Sequence, residues 1–242
     1  VSRGAPPSGF PNGGGVLSRP PAGGGPPAVT TANNEGLWTN RNGTTPPALV
    51  FRKGDNPSGL FDTGVTINRF IKYWINNYGR VYTLVGLTGP GITKANDVAL
   101  LESTLSNKTL LHLREGDMAP GLGGGIIGNI SRVDGRENGN WTALCTVVQK
   151  TGAATATNNQ VLYSYQDSAG IFPQPMLTMR KGARIGRAGS DVIKSINLAN
   201  KLDDGSSGAM ATGMGHVMSP TREITAILTY QDGHQSVTEV KP

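Results

Sequence analysis

The 242-residue chain holds a single cysteine, Cys145, which excludes an internal disulfide framework and any cysteine-based zinc site. It has no apolar run of the ~18 residues that a membrane-spanning helix needs, and no charged-then-apolar leader at its N-terminus. The expectation is a soluble chain without a transmembrane segment, either cytoplasmic or already processed. Aromatic residues make up only 6% and charged residues 16%. The net charge is +6, yet no stretch gathers the roughly five or six like charges of a nucleic-acid arm, so no specific nucleic-acid binding is expected. Histidine is scarce too. His112, His216 and His234 lie far apart with no paired spacing, which leaves metal binding without support.

Glycine and proline are abundant, at 35 and 16 residues, about one position in five. An average domain carries about 12%, so the excess argues for many tight turns between short strands and against long helices. Short valine-, leucine- and isoleucine-rich runs supply a core. In WTALCTVV, Trp141, Ala143, Cys145 and Val147 share one strand face, so Cys145 reads as a small buried hydrophobe. Sequons at Asn42, Asn107, Asn129 and Asn140 matter only for a chain secreted by a eukaryote.

One block recurs along the chain: VSRGAPPSG (Val1–Gly9), FRKGDNPSG (Phe51–Gly59), LREGDMAPG (Leu113–Gly121) and MRKGARIGRAG (Met179–Gly189). Its glycines, Gly4, Gly54, Gly116 and Gly182, are spaced 50, 62 and 66 residues apart. Before each later block stand a strand, a polar turn and a strand; within the units INNYGRVYTLVGL, RENGNWTALCTVV and LDDGSSGAMATGM place an Asn/Asp/Gly turn before an alternating run.

Each complete unit then reads as four strands. The second has Thr66–Ile75, Arg80–Leu87, Asp97–Glu102 and Thr109–Arg114; the third has Ile126–Val133, Trp141–Gln149, Gln160–Gln166 and Pro175–Arg180. The fourth has Val192–Leu202, Gly208–Met218, Glu223–Tyr230 and Ser236–Val240. Four antiparallel strands repeated at about 60 residues match the blade of a β-propeller, so the fold class is all-β and propeller-like, with about four units. Residues 1–34 form a Gly/Pro-rich arm or a degenerate first unit. Residues 35–242 form the repeat domain, with units at about 35–54 (partial), 55–116, 117–182 and 183–242.

The pieces R-x-G-D-x-x-P-G, N-x-x-G-x-V and G-L-W resemble a bacterial tandem-repeat family whose units read roughly ALNDAGQVAFxAxL…GLWxxxxGxLxLVAREGDPAPG. The likeness is closest at LREGDMAPG and covers most of the chain from Glu35 onward; MRKGARIG departs from it in lacking the aspartate and proline. It implies propeller-like β repeats and export, and brings no established catalytic residues.

The glycine block has its own physical reading. Gly54, Gly116 or Gly182 can take a positive φ after the fourth strand, Asp55 or Asp117 can accept hydrogen bonds in the turn, and Pro120 fixes the exit. Arg52, Arg114 and Arg180 are candidates for pairing with that aspartate or with a neighbouring unit. GLGGGIIG (Gly121–Gly128) lacks the ending of a phosphate loop and reads as a turn between units. YQDSAG (Tyr165–Gly170) and YQDGH (Tyr230–His234) read as solvated hairpin turns with too few carboxylates for calcium, and Tyr163, Tyr165 and Tyr230 as cross-strand packing rather than a sugar-stacking face. With no nucleophile motif, no cofactor fingerprint and no metal ligands, the expectation is a non-enzymatic protein. It is exported to the cell surface or beyond, the signal peptide absent from this chain. Its role is structural or interactive, its partner itself or another extracellular protein; a glycan- or small-ligand-binding propeller is the alternative.

Overall fold

A computed structural model describes residues 29–40, 46–167, 174–186, 191–198, 217–219 and 223–241. The first glycine block, the arm before residue 29 and most of Gly208–Met218 lie outside them. The described regular structure is strand, apart from one 3-10 turn at Pro57–Gly59. A two-stranded sheet pairs β1 (Gly36–Thr39) with β2 (Ala48–Arg52). A four-stranded sheet follows in chain order: β3 (Thr66–Ile75), β4 (Val81–Thr88), β5 (Val98–Ser103) and β6 (Thr109–Arg114). The next has β7 (Ile127–Gly135), β8 (Trp141–Val147), β9 (Gln160–Tyr165) and β10 (Met176–Arg180). The last has β11 (Arg184–Ile185), β12 (Asp191–Leu198), β13 (Ile224–Tyr230) and β14 (Gln235–Val240). All pairings are antiparallel. The all-β, repeated four-stranded class read from the sequence is the one observed, and every strand expected in the second and third units is present within two residues.

The fourth unit differs from the expectation. β12 pairs directly with β13, Ile193 opposite Tyr230 and Leu198 opposite Ala226. Glu223–Tyr230, expected as a third strand, takes the second place beside β12, and most of the expected strand Gly208–Met218 lies outside the described residues. The reason lies in composition: ITAILTY is rich in β-branched and aromatic residues, which favours a strand. β11 is the counterpart of the isolated bridge Met118–Ile126 in the third unit, so it marks a connection rather than a blade strand.

Each inner sheet is covered on both faces. Strand side chains alternate, so Val81 and Val85 meet Leu37 and Phe51 of the first sheet, while Tyr82 and Leu84 meet Ile127, Ala143 and Cys145 of the third. Leu144 and Leu162 leave the third sheet towards Ile193, Ile196 and Leu228 of the fourth. This double covering explains why β4 is buried from Val81 to Leu87 without polar alternation. A fully buried side chain of this kind contributes about 1.5–3 kcal/mol.

The glycine block joins one sheet to the next. Gly54 N–H donates to Ile67 O (2.7 Å) and Ile67 N–H to Asp55 O (2.9 Å). Gly116 and Ile127 repeat the first bond at 2.8 Å, with Ile127 N–H on Asp117 O at 2.9 Å; Gly182 and Ile193 repeat it at 2.8 Å, with Ile193 N–H on Ala183 O at 3.0 Å. The three glycines have φ of 87°, 84° and 82°. Each also lies against a Thr-x-x-Asn turn about 20 residues earlier in the chain: a Cβ on Gly54 would stand 2.9 Å from Ala32 O, on Gly116 2.8 Å from Asn96 Cβ, and on Gly182 3.0 Å from Thr157 O. Those turns are built alike, with Asn33, Asn96 and Asn158 Oδ1 accepting from the backbone N–H of Thr30, Thr93 and Thr155 at 2.6, 2.7 and 2.6 Å.

Gly116→Ala is expected to lose about 2–3 kcal/mol in urea unfolding, from the left-handed backbone and the contact with Asn96 together. Gly123→Ala, with no heavy atom within 4 Å of a new Cβ and no positive φ, is the control and stays close to wild type. Equal stability of the two variants would refute this account of the junction.

Candidate functional site

Three units share a strand pair ahead of the glycine turn, and in all three the register slips at the same place. Gly36, Ala99 and Val161 stand opposite Arg52, Arg114 and Arg180; just beyond, one residue is left over on the outer strand. The extra residues are Val50, His112 and Thr178. Such a bulge re-aims its side chain, and in the second and third units it meets the facing position of the partner strand, Glu102 and Ser164, which Thr39 holds in the first. In the third unit Thr178 Oγ1 donates to Ser164 Oγ at 2.7 Å. In the second, the same place holds an imidazole and a carboxylate, His112 Nε2 to Glu102 Oε2 at 2.8 Å.

This pair sits in a cluster that spans the second and third sheets. Arg80, just before β4, reaches Glu102 Oε1 at 3.2 Å and Asp167 Oδ1 at 2.8 Å. Asn76 Nδ2 donates to the other Asp167 oxygen at 3.1 Å, and the Tyr82 hydroxyl lies 3.5 Å from it. The Asp167 backbone N–H donates to Asn140 Oδ1 at 2.9 Å. Side-chain exposure is 0% for Glu102, 3% for Asp167, 6% for His112 and 18% for Arg80, so only the guanidinium has an appreciable path to solvent.

Aromatic rings enclose the charges. Trp74 stacks on Tyr82 at 5.1 Å and Trp141 on Tyr165 at 5.1 Å, and the His112 ring meets Tyr165 edge-on at 4.6 Å. Gly135 makes room for Trp74: a Cβ there would fall 2.0 Å from the indole. Burial raises the Asp167 carboxyl above the usual range, partly countered by Arg80. Burial disfavours the Arg80 cation, but Asp167 and Glu102 outweigh it and hold the guanidinium more firmly protonated than usual. Burial, with Glu102 and Asp167 adding to it, pushes the Tyr82 hydroxyl well up. The cluster is an electrostatic clamp: one cation on one sheet shared between that sheet's glutamate and its neighbour's aspartate.

A second chain of contacts runs from the second sheet to the fourth. Lys72 Nζ meets Asp134 Oδ1 at 2.9 Å and donates to Val133 O at 2.6 Å; Arg132 Nε meets Asp134 Oδ2 at 2.6 Å and its NH1 donates to Leu198 O at 3.2 Å. Burial alone would raise the Asp134 carboxyl, but Lys72 and Arg132 together hold it below the usual range.

The arginines expected at the glycine blocks serve three different ends. Arg52 pairs with Asp55 at 2.9 Å. Arg114 lies over the Phe61 ring at 5.6 Å, and its charge partly offsets the burial that raises Asp117. Arg180 Nε donates to Asn158 O at 2.8 Å. The structure places them in separate sheets and does not bring them together. Pro120 O accepts from the Tyr163 hydroxyl at 3.0 Å. Cys145 is fully buried and its thiol pushed well up by that burial; Tyr163, Tyr165 and Tyr230 are buried packing residues. YQDGH is an exposed turn in which His234 stacks on Tyr230 at 4.1 Å. YQDSAG departs from its reading as a solvated turn, since Asp167 is withdrawn into the clamp. His216 and residues 168–170 lie outside the described residues. Among the described residues no group of three or more His, Cys, Asp or Glu is placed to hold a metal ion, and no helix is long and apolar enough to cross a membrane.

Sequence reasoning missed Arg80, Glu102, His112 and Asp167. A signal was present: aligned on the glycine blocks, the second unit alone carries an ionisable pair where the third has serine and threonine.

Arg80→Ala leaves two buried carboxylates without their cation and is expected to cost about 3–5 kcal/mol near neutral pH. The deficit should shrink as pH falls, because the raised Asp167 carboxyl takes up a proton and no longer needs the cation; a pH-independent deficit would contradict the clamp. Asp134, held low in the fold, gives stability that is fully present above its unfolded pKa of about 3.9 and is lost as pH falls through the lower folded value. Asp134→Asn should therefore cost about 2 kcal/mol at neutral pH and flatten the acid limb of the stability curve below pH ~4, as thermal unfolding would show.

No curated protein and no solved structure matches the chain. A family model does, over residues 23–234, which takes in the three glycine-block junctions, the clamp and all but the end of the last sheet. The chain belongs to that family, DUF7453, a family of unknown function.

Proposed function

We propose that the protein is a non-enzymatic module of exported bacterial tandem-repeat type, acting at or outside the cell surface as a structural or interaction element. The observation that supports this reading is the repeated junction: the same glycine-to-isoleucine hydrogen-bond pair, three times over, stacks sheet on sheet. The polar clusters then cross from sheet to sheet, Arg80 to Asp167 and Lys72 to Asp134, and so serve the rigidity of the stack. A rigid stack presents faces and edges at fixed spacing, which suits display and assembly. The resemblance of LREGDMAPG to exported repeats supports a location at or outside the cell surface.

A second reading, a glycan- or small-ligand-binding module, draws on a cleft of about 560 Å³ where β7 meets β12, lined by Ser131, Arg132, Asn197 and Gln235 over Leu144, Leu198 and Ile227. Hydrogen-bonding amides and one guanidinium over an aliphatic floor suit a hydroxyl-rich ligand.

Fractionation of cells expressing the native gene tests the first reading; the protein is expected in the surface or medium fraction, and recovery from the cytoplasm alone would refute it. A glycan array tests the second. Binding that Arg132→Ala lowers at least about tenfold would make the cleft the working site, and silence across the array would remove that alternative.

A further inference from the structure

The fourth sheet carries, in register, the face with which the inner sheets grip their successors. On the third sheet Thr142, Leu144 and Thr146 of β8 stand opposite Ser164, Leu162 and Gln160 of β9. On the fourth, Thr225, Ile227 and Thr229 of β13 stand opposite Glu239, Val237 and Gln235 of β14. The junction fixes this alignment, because Gln231 N–H donates to Val192 O (3.0 Å) as Val148 N–H donates to Ile126 O (2.8 Å). Even the glutamine recurs: Gln160 bonds both the N–H (2.7 Å) and the C=O (2.9 Å) of Ile196 in the next sheet, and Gln235 holds its place on the fourth.

The central residue of this face is Leu100 on the second sheet and Leu162 on the third, each 0% exposed; on the fourth it is Val237, 73% exposed. A repeat whose outer face only meets water carries a polar one. Here a valine stands at the centre, beside Ile227.

The matching half of a junction is also on this chain. The face that receives the preceding sheet carries Leu101 and Leu111 in the second sheet, opposite one another, and Tyr163 and Leu177 in the third. In the first sheet that position is the pair Trp38 and Leu49, with Leu49 39% exposed. Among the described residues, no core cluster joins the first and fourth sheets.

We infer that the fourth sheet docks on the first sheet of a second copy of this chain, head to tail, using the junction that the chain already makes internally. The contact is heterologous, so it propagates into a filament or closes into a ring according to its rotation. This rests on the reading of the protein as an interaction module and names its partner and surfaces.

Light scattering and sedimentation of the full chain across a wide concentration range test it, with Val237→Arg and Leu49→Arg, both at exposed positions. The wild type is expected to grow in multiples of one chain, and each variant to associate about a hundredfold more weakly. The two variants mixed should form a dimer and stop there, because each retains one intact face. Thermal unfolding checks that both variants fold. A wild type that stays monomeric at every concentration, or variants that assemble like it, overturns the inference. A monomer recovered from the cell surface would still leave the broader reading standing, whereas a cytoplasmic protein that assembles would do the reverse.

Discussion

A sheet apolar on both faces has to be covered twice, and this constraint organises the molecule. β4 and β8 are too uniformly buried to border water on either side, so the sheets holding them are stable only between neighbours. The covering must arrive at a fixed distance and angle, and the glycine turn supplies both. A left-handed residue without a Cβ brings the strand end against the Thr-x-x-Asn turn and hands two hydrogen bonds to the next sheet's isoleucine. Any side chain at Gly54, Gly116 or Gly182 opposes that approach twice, through φ and through volume.

Once stacking is fixed, positions that point between sheets become the most consequential ones. Glu102, Ser164 and Thr39 occupy one register position, yet only Glu102 carries charge, and its neighbours have changed with it: His112 on the bulge, Arg80 across the strand, Asp167 from the next sheet. A carboxylate there without Arg80 would be a large penalty. With Arg80 and two stacked aromatic pairs around it, the same carboxylate fixes how the second and third sheets meet.

The fold was legible because its signals are local. Turn glycines, alternating strands and the spacing of the glycine block placed eight strands within two residues, and Cys145 was read correctly as a core residue. The fourth unit was misread because its composition departs from the repeat: the reading followed the turn LDDGSSG, whereas ITAILTY had the stronger strand chemistry. The clamp was invisible to pattern reading for a different reason. Arg80, His112 and Asp167 are brought together by sheet stacking over 87 residues of sequence separation, and none belongs to a spaced motif. Asp167 in particular sits in a segment whose Gln-Asp-Ser-Ala-Gly composition is that of an ordinary exposed turn.

The short reach of the junction bears on how the chain comes to be folded. Gly54 to Ile67, Gly116 to Ile127 and Gly182 to Ile193 each span no more than 13 residues, and in the second and third sheets each strand pairs with the next one in the chain. Contacts this local carry a small loop-closure cost and form quickly. A chain emerging from synthesis N-terminus first can therefore fold from its leading end, each unit settling on the one before it while the rest is still extended. The fourth sheet is then the last to settle, and the pull of each new junction falls on the segment still emerging.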